Sequence, residues 1–309
     1  MYDNIDMNLK KESAPGTDFI NTVPDYLTEF INDGNSKFGY YLNGYLDKLK
    51  VKVTENRVSV SDSSICKYYL GDNFKTLSKG EYKRAIEKIS DNLHLPFHLA
   101  DITRIDFAQN FIMQYEENLY YSYLGESNHY KRLPQPNGLY YSNGKRQLLF
   151  YGKVHEQKEK GQPIPELYKN RNVLRFELRF KQRLRQQFNR PEIKAGLLYD
   201  EDFYRELIKQ WKNEYLAIQK INSKLNSMEP TGSTKELIEN LALYSILEAG
   251  QPKVLNLIKQ WQETGEIDKH QAQRHRNFIK KLASKPMDEK GNELLNELTR
   301  KVKEAARNY

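Results

Sequence analysis

Between Leu49 and Lys181 several segments alternate apolar and polar side chains with the two-residue period of half-buried strands. The pattern is clearest over Val173–Lys181. There Leu174, Phe176, Leu178 and Phe180 point one way, and Val173, Arg175, Glu177, Arg179 and Lys181 the other. Ile102–Ile112 predicts a second strand, with Ile105, Phe107 and Phe111 toward a core and Arg104, Asp106 and Asn110 on the opposite face. Gln147–Val154 predicts a third, with Leu149, Tyr151 and Lys153 on one face and Leu148, Phe150 and Val154 on the other. Gly138–Tyr141 pairs with it through a turn whose Asn143-Gly144 favours positive φ. Leu49–Val53 and Val58–Val60 read as a hairpin turning at Glu55-Asn56, and Ile65–Leu70 as a further strand. One helix interrupts the strands. Ser78-Lys-Gly-Glu81 is a capping box opening a helix to about Leu93, with Tyr82, Ala85, Ile86 and Ile89 as its apolar stripe. The first 35 residues are polar and punctuated by Gly and Pro, with a short helical candidate at Asp25–Ile31, and Gln157–Pro165 reads as a charged loop.

After about Asp200 the period lengthens to that of helices. Asp200–Lys224 carries Phe203, Leu207, Trp211 and Tyr215 on one face. Ser233-Thr-Lys-Glu236 is a second capping box, and its helix stops at Gly250-Gln-Pro252. Helices follow over Lys253–Glu263, Lys269–Ser284 (capped by Asp268) and Asp288–Arg307. The pattern predicts an α+β fold, a mainly antiparallel sheet with covering helices, followed by an all-helical C-terminal region. The expected divisions are an N-terminal extension over 1–40, a strand-rich domain over 41–190 and a helical accessory or DNA-binding domain over 191–309.

Charge adds a partner class. Lys and Arg outnumber Asp and Glu by 49 to 41, a net +8 and a pI near 9.1, which favours a polyanion, nucleic acid or an anionic membrane surface. No apolar run approaches a spanning length and Met1–Glu12 has no signal-peptide core, so the expected partner is nucleic acid and the expected place the cytoplasm. The single cysteine, Cys66, allows no internal disulfide or cysteine-rich zinc site and reads as a buried small side chain.

The strand faces carry the chemistry. If the three strands neighbour one another, Asp106, Glu177, Tyr151, Lys153, Arg104, Arg175 and Arg179 converge on one polar face. Two carboxylates a few ångströms apart repel and attract a cation, and such oxygen ligands suit Mg²⁺ or Mn²⁺. The ion polarises a phosphodiester and helps a phenol, whose free pKa is about 10, act as nucleophile. Lys153 and the arginines can hold non-bridging oxygens. A structural salt-bridge ladder is the plain alternative for Arg175, Glu177 and Arg179, and packing the plain alternative for a strand tyrosine.

Thr103-Arg-Ile-Asp106, Tyr151-Gly-Lys-Val-His-Glu156 and Arg175-Phe-Glu-Leu-Arg-Phe-Lys181, in this order and spacing, resemble motifs of rolling-circle replication initiators. These are the Rep-trans initiators of small plasmids and the related strand-nicking replication proteins of filamentous phages; the resemblance spans roughly residues 45–185. It implies an enzyme that nicks one strand at a double-strand origin, stays joined to the 5′-phosphate through tyrosine, and leaves a 3′-OH as primer. By the same resemblance Tyr151 is the nucleophile and Asp106 and Glu177 are metal ligands, while Lys153 and Glu156 belong to the tyrosine motif. Many plasmid members have a second acid where this chain has Asn110, and some have another where it has Arg179; Glu156 or Asn110 would then complete the metal shell.

Further basic residues mark candidate DNA contacts. Arg104, Arg175, Arg179, Lys181, Arg183 and Arg185 surround the strand site, and Arg274 and Arg276 lie on the basic helix Lys269–Ser284. That helix, with Lys253–Glu263 before it, is compatible with helix-turn-helix binding. The expected partners are origin duplex and single-stranded DNA, with a host helicase and a second copy of the chain as further candidates. A non-catalytic origin-binding protein or repressor is the competing reading. A conjugative relaxase is disfavoured because His94 and His98 flank Pro96 without forming a His-apolar-His triplet.

Overall fold

The computed structural model describes residues 1–37, 39–221, 233–283 and 289–308. Among these, ten strands form one antiparallel sheet: β1 (Tyr2–Lys10), β2 (Glu29–Ser36), β3 (Gly39–Leu46), β4 (Leu49–Thr54), β5 (Arg57–Val60), β6 (Asp101–Met113), β7 (Lys131–Gln135), β8 (Gly138–Ser142), β9 (Arg146–Gly152) and β10 (Asn172–Phe180). Their spatial order is β2-β3-β4-β5-β1-β6-β10-β9-β8-β7. The helices are α1 (Phe19–Thr22), α2 (Ile65–Leu70), α3 (Lys79–Leu93), α4 (Glu117–Tyr121), α5 (Lys153–Glu159), α6 (Leu184–Gln187), α7 (Glu201–Ala217), α8 (Thr234–Ala249), α9 (Gln251–Glu263), α10 (Lys269–Ala283) and α11 (Glu289–Arg307).

Alternation sets the two faces of the sheet. Ile105 and Phe107 of β6, Leu148 and Phe150 of β9, and Leu174, Phe176, Leu178 and Phe180 of β10 enter the main core. The core is closed by Tyr82, Ile86 and Ile89 of α3, Phe203, Leu207 and Trp211 of α7, and Leu294, Leu298 and Val302 of α11. Phe176 is held between the rings of Phe150 and Trp211, at centroid distances of 4.6 and 4.9 Å. The capping box of α3 forms as read: Ser78 Oγ accepts from the Glu81 N–H, and the Glu81 carboxylate accepts from the Ser78 N–H at 2.8 Å.

The three strands expected to share a sheet are adjacent, β6 beside β10 and β10 beside β9, with α3 on their apolar face. Several local expectations need correction. Residues 1–40 were expected to be an extension, yet Tyr2–Lys10 is β1, between β5 and β6 in the middle of the sheet. Asp25–Ile31 is no helix; a 3₁₀ turn over Val23–Tyr26 leads into β2, an exposed edge strand. Ile65–Leu70, expected as a strand, is helix α2, because Ser64 caps it by accepting from the Lys67 N–H. The third strand stops at Gly152, and Lys153 and Val154 begin α5, which takes up part of the expected loop Gln157–Pro165.

The region after Asp200 does not pack as one second unit. Helices α7 and α11 share the core of the sheet, whereas α8, α9 and α10 bury Leu243, Ile246, Ile258, Ala272, Ile279 and Leu282 in a core of their own. Helix α7 ends at Ala217 rather than near Lys224, with Ile218 extended, and the ends expected at Ser284 and Asp288 lie outside the described residues. Removing the ring at the centre of the aromatic stack, by Phe176→Ala, should lower the unfolding free energy by about 3–5 kcal/mol in urea titrations. Phe278→Ala, on the exposed side of α10, should change it by less than about 0.5 kcal/mol.

Candidate active site

The face of the sheet away from the main core gathers charge where β6, β10 and β9 meet. Register sets Arg179 opposite Asp106, Arg175 opposite both Asn110 and Tyr151, and Glu177 between Ala108 and Leu149. The Tyr151 hydroxyl donates to Glu177 Oε2 at 3.3 Å. Arg179 Nε donates to Glu177 Oε1 at 2.6 Å and lies 3.6 Å from Asp106 Oδ2, so one guanidinium joins both acids. Arg104 holds Asp106 in a two-point pair, Nε to Oδ1 at 2.8 Å and Nη2 to Oδ2 at 2.6 Å. Asp106, Arg175 and Glu177 are essentially inaccessible to solvent.

Arg175 was expected to contact DNA. It is instead fully buried, because its guanidinium is consumed inside the protein: Nη2 pairs with Asp3 at 2.5 Å, Nε lies 3.5 Å from Glu177, and Nη1 donates to Asn110 Oδ1 at 3.1 Å and to the Asn73 carbonyl at 3.2 Å. Asp3 and Asn73 were missed by the sequence reading. Asn73 gave no signal, since it acts through its backbone. The strand that carries Asp3 is legible, because Ile5, Met7 and Leu9 alternate with Asn4, Asp6 and Asn8, but strict alternation puts Asp3 on the core side with Ile5, and only the register shift between Tyr2 and Ile5 turns it to Arg175.

Lys153 and Glu156 form a second group. The Lys153 ammonium, buried at the start of α5, donates to Glu156 Oε2 at 2.7 Å, and Lys160 also pairs with Glu156. Lys153 therefore has no exposed charge to offer a phosphate, and Glu156 is held by two lysines rather than beside Asp106 and Glu177. Among the described residues no group of three or more His, Cys, Asp and Glu is placed to share one metal.

Tyr151 opens onto a groove of about 360 Å³ lined also by Asn137, Tyr140, Leu149, Glu156 and Arg179. Gly138 stands opposite Tyr151 in β8, where a Cβ would come within 2.6 Å of the Phe150 carbonyl and 3.2 Å of Tyr151 Cβ. A second groove, of about 620 Å³, has Lys10, Arg57, Lys181, Arg183 and Arg185 on its walls. Its acid, Asp101, is already paired with Lys10 at 2.8 Å and Lys194 at 2.6 Å. Arg274 of α10 is exposed, whereas Arg276 turns inward and donates to Gln262 of α9. The strand site, the basic groove and α10 are thus separate places.

Tyr140 shares the groove, whereas Tyr204, Tyr199 and Tyr141 are kept from this face by their packing. Tyr204 lies in the main core with Tyr2 and Phe107, Tyr199 packs near Tyr82, and buried Tyr141 donates to the Gly125 carbonyl at 2.7 Å.

Burial and the neighbouring charge of Glu177 push the Asp106 carboxyl up to about 8, against the pull of Arg104. Burial acts in the same sense on Glu177, but Arg179 and Arg175 outweigh it and hold Glu177 ionised. Burial raises the Tyr151 phenol well above 10, with Arg175 opposing and Glu177 adding to the rise. Burial and Arg175 lower Lys153 to about 8. For Glu156 burial again raises, but the Lys153 charge and hydrogen bond prevail and bring it to about 2.

Two outcomes follow from this electrostatic arrangement. Arg175→Met should cost about 3–5 kcal/mol in urea unfolding, because Asp3 and Glu177 would stay buried without their counter-charge. Asp106 in the folded chain holds its proton up to about 8, far above the ordinary 3.8, so its stabilising protonation is complete below about 4 and lost as pH rises through 8. With a chelator present, Asp106→Asn should flatten the fall in the urea midpoint between pH 5 and 8, and should be the more stable protein at pH 8.

Residues 1–214 match the family model that describes the N-terminal part of a phage replication-associated protein. No curated protein matches the chain.

Proposed function

The chain belongs to this phage family of replication-associated proteins, over the family's N-terminal part, and from that premise we propose that it nicks one DNA strand at a rolling-circle origin through Tyr151 and later rejoins it. One observation carries the assignment to Tyr151: its hydroxyl lies 3.3 Å from a buried carboxylate that shares Arg179 with a second, and its ring borders an open groove.

The groove beside Tyr151 takes a single strand, and Arg179 on its wall holds non-bridging phosphate oxygens. Glu177 accepts the hydroxyl hydrogen bond and orients the phenol oxygen toward phosphorus. That oxygen forms the new P–O bond as the P–O3′ bond breaks. The phenol gives up its proton, and the departing 3′-oxygen takes one to become the 3′-OH primer. The phosphotyrosine bond keeps the energy of the phosphodiester, so the reverse attack by a 3′-OH closes a strand without ATP.

Asp106 and Glu177 are the carboxylates that would hold a Mg²⁺ or Mn²⁺ ion, once Arg104 and Arg179 give up the oxygens they now occupy. Both carboxylates offer hard oxygens on adjacent strands, and burial, with the neighbouring Glu177 charge adding to it, disfavours an ionised Asp106, a penalty that a cation would relieve. Mg²⁺ is commonly held by one or two carboxylates together with substrate phosphate, so a third acid is not required. When bound, such an ion supplies the positive charge that polarises the phosphodiester and lowers a phenol otherwise held well above 10. Lys153 positions rather than reacts: paired to Glu156, it fixes the start of α5 directly after Tyr151-Gly152.

Tyr151→Phe removes one hydroxyl and should cost at most about 1 kcal/mol of stability. It should also abolish relaxation of supercoiled origin DNA in Mn²⁺, while binding to single-stranded DNA survives. Asp106→Ala should give the same loss of nicking with apo stability unchanged or higher. Open circles formed at the native rate by either variant would remove Tyr151 or the acid pair from the reaction.

A further inference from the structure

Helices α8, α9 and α10 stand apart from the nicking site around their own small core. Helix α9 ends at Glu263, Gly265 turns the chain at φ 79, and Asp268 Oδ1 accepts from the Gln271 N–H at 2.7 Å to open α10. A helix, a short glycine-containing turn and a second helix, backed by a third, is the arrangement that offers one helix to a DNA groove.

The two faces of α10 differ in kind. Inward lie Ala272, Ile279 and Leu282, with Arg276 bound to Gln262 of α9. Positions 270, 273, 274, 277 and 281 share the opposite side at helical spacing, and all five are exposed. Gln273 Nε2 donates to Asn277 Oδ1 at 2.9 Å, so two amides are aligned beside Arg274 before any ligand arrives. Phe278, 50 % exposed, adjoins them. The fifteen residues of α10 contain five Lys or Arg and no Asp or Glu, whereas the sequence of α8 carries Glu236, Glu239 and Glu248 against one lysine.

We propose that α10 is a recognition helix that reads base edges of duplex origin DNA in the major groove, through Gln273, Arg274 and Asn277. Amide side chains pair with adenine, arginine with guanine, and an aromatic ring meets the thymine methyl, so this face carries the donors and acceptors that bases require. An acidic protein or an anionic membrane would be met by the lysines and arginines alone and would leave the amides unused. Lys280 and Lys281, further along the helix, are suited to phosphates. Recognition by α10 is independent of the strand chemistry at Tyr151, and it adds what a groove sized for one strand lacks, a way to find the origin while its bases are still paired.

The test is footprinting of the full chain on duplex fragments tiling the replicon that encodes it, with excess random-sequence duplex as competitor. Binding to a 20-nucleotide single strand is measured in parallel. No strand cutting is involved, so the result stands whether or not Tyr151 is the nucleophile. The combined variant Gln273→Ala, Arg274→Ala, Asn277→Ala should weaken the footprint by about a hundredfold while single-strand binding and the thermal midpoint stay unchanged. Lys259→Ala, an exposed charge of α9 paired with Glu263, should leave the footprint intact. The proposal is overturned if the native chain gives no duplex footprint, if the combined variant keeps it, if Lys259→Ala weakens it equally, or if the loss extends equally to the single strand.

Discussion

A guanidinium with no exposed surface must be neutralised where it lies, and Arg175 imposes that condition on the strands around it. Its partners come from β1 (Asp3), β6 (Asn110), its own strand β10 (Glu177) and the segment ahead of α3 (the Asn73 carbonyl). A slip of any of these strands by one residue would strand the charge in the interior, at a cost of several kcal/mol. The requirement also accounts for an irregularity in β1. Its register with β6 shifts between Tyr2 and Ile5, which lets both side chains enter the core while Asp3 meets Arg175 on the other face.

Fixing Arg175 fixes Glu177, and Glu177 in turn receives the Tyr151 hydroxyl. The rest of the architecture leaves this corner open. Helices α3, α7 and α11 pack on one face, while near the start of β10 the opposite face carries a small cluster of Phe74, Val154 and Val173, with Ile164 and Tyr168 against it. Beyond that cluster Gly138 keeps the cross-strand position beside Tyr151 free of a side chain. In sequence the α8–α10 unit lies between α7 and α11, both of which pack on the sheet, so the unit proposed to read duplex through α10 is joined at each end to the sheet-based fold.

What could be read in the sequence follows from where the information is local. The alternations of β6 and β10 and the capping box of α3 are local patterns that formed where expected, and that of β9 holds as far as Gly152. The sequence reading brought Asp106, Glu177 and Tyr151 to one face for the same reason. β1 is hard to see in the sequence because Asp3, Asn4, Asp6, Asn8 and Lys10 give it the composition of a loop, although Ile5, Met7 and Leu9 keep the period of a strand. Ile65–Leu70 was read by its apolar content, and the cap at Ser64 decided otherwise. Arg175, Lys153 and Arg276 turn to partners within the protein for a different reason: whether a cation faces solvent or an internal partner depends on how strands and helices pack, which alternation cannot report.

The central claim is that Tyr151, and no other tyrosine bordering the groove, takes the 5′-phosphate. The direct measurement is to trap the protein–DNA adduct on origin DNA in Mn²⁺, digest both components, and locate the nucleotide-bearing peptide by mass spectrometry. The account predicts the modification on Tyr151, within the segment Gln147–Lys153. A nucleotide on Tyr140, which lines the same groove, or on any other tyrosine, would contradict it.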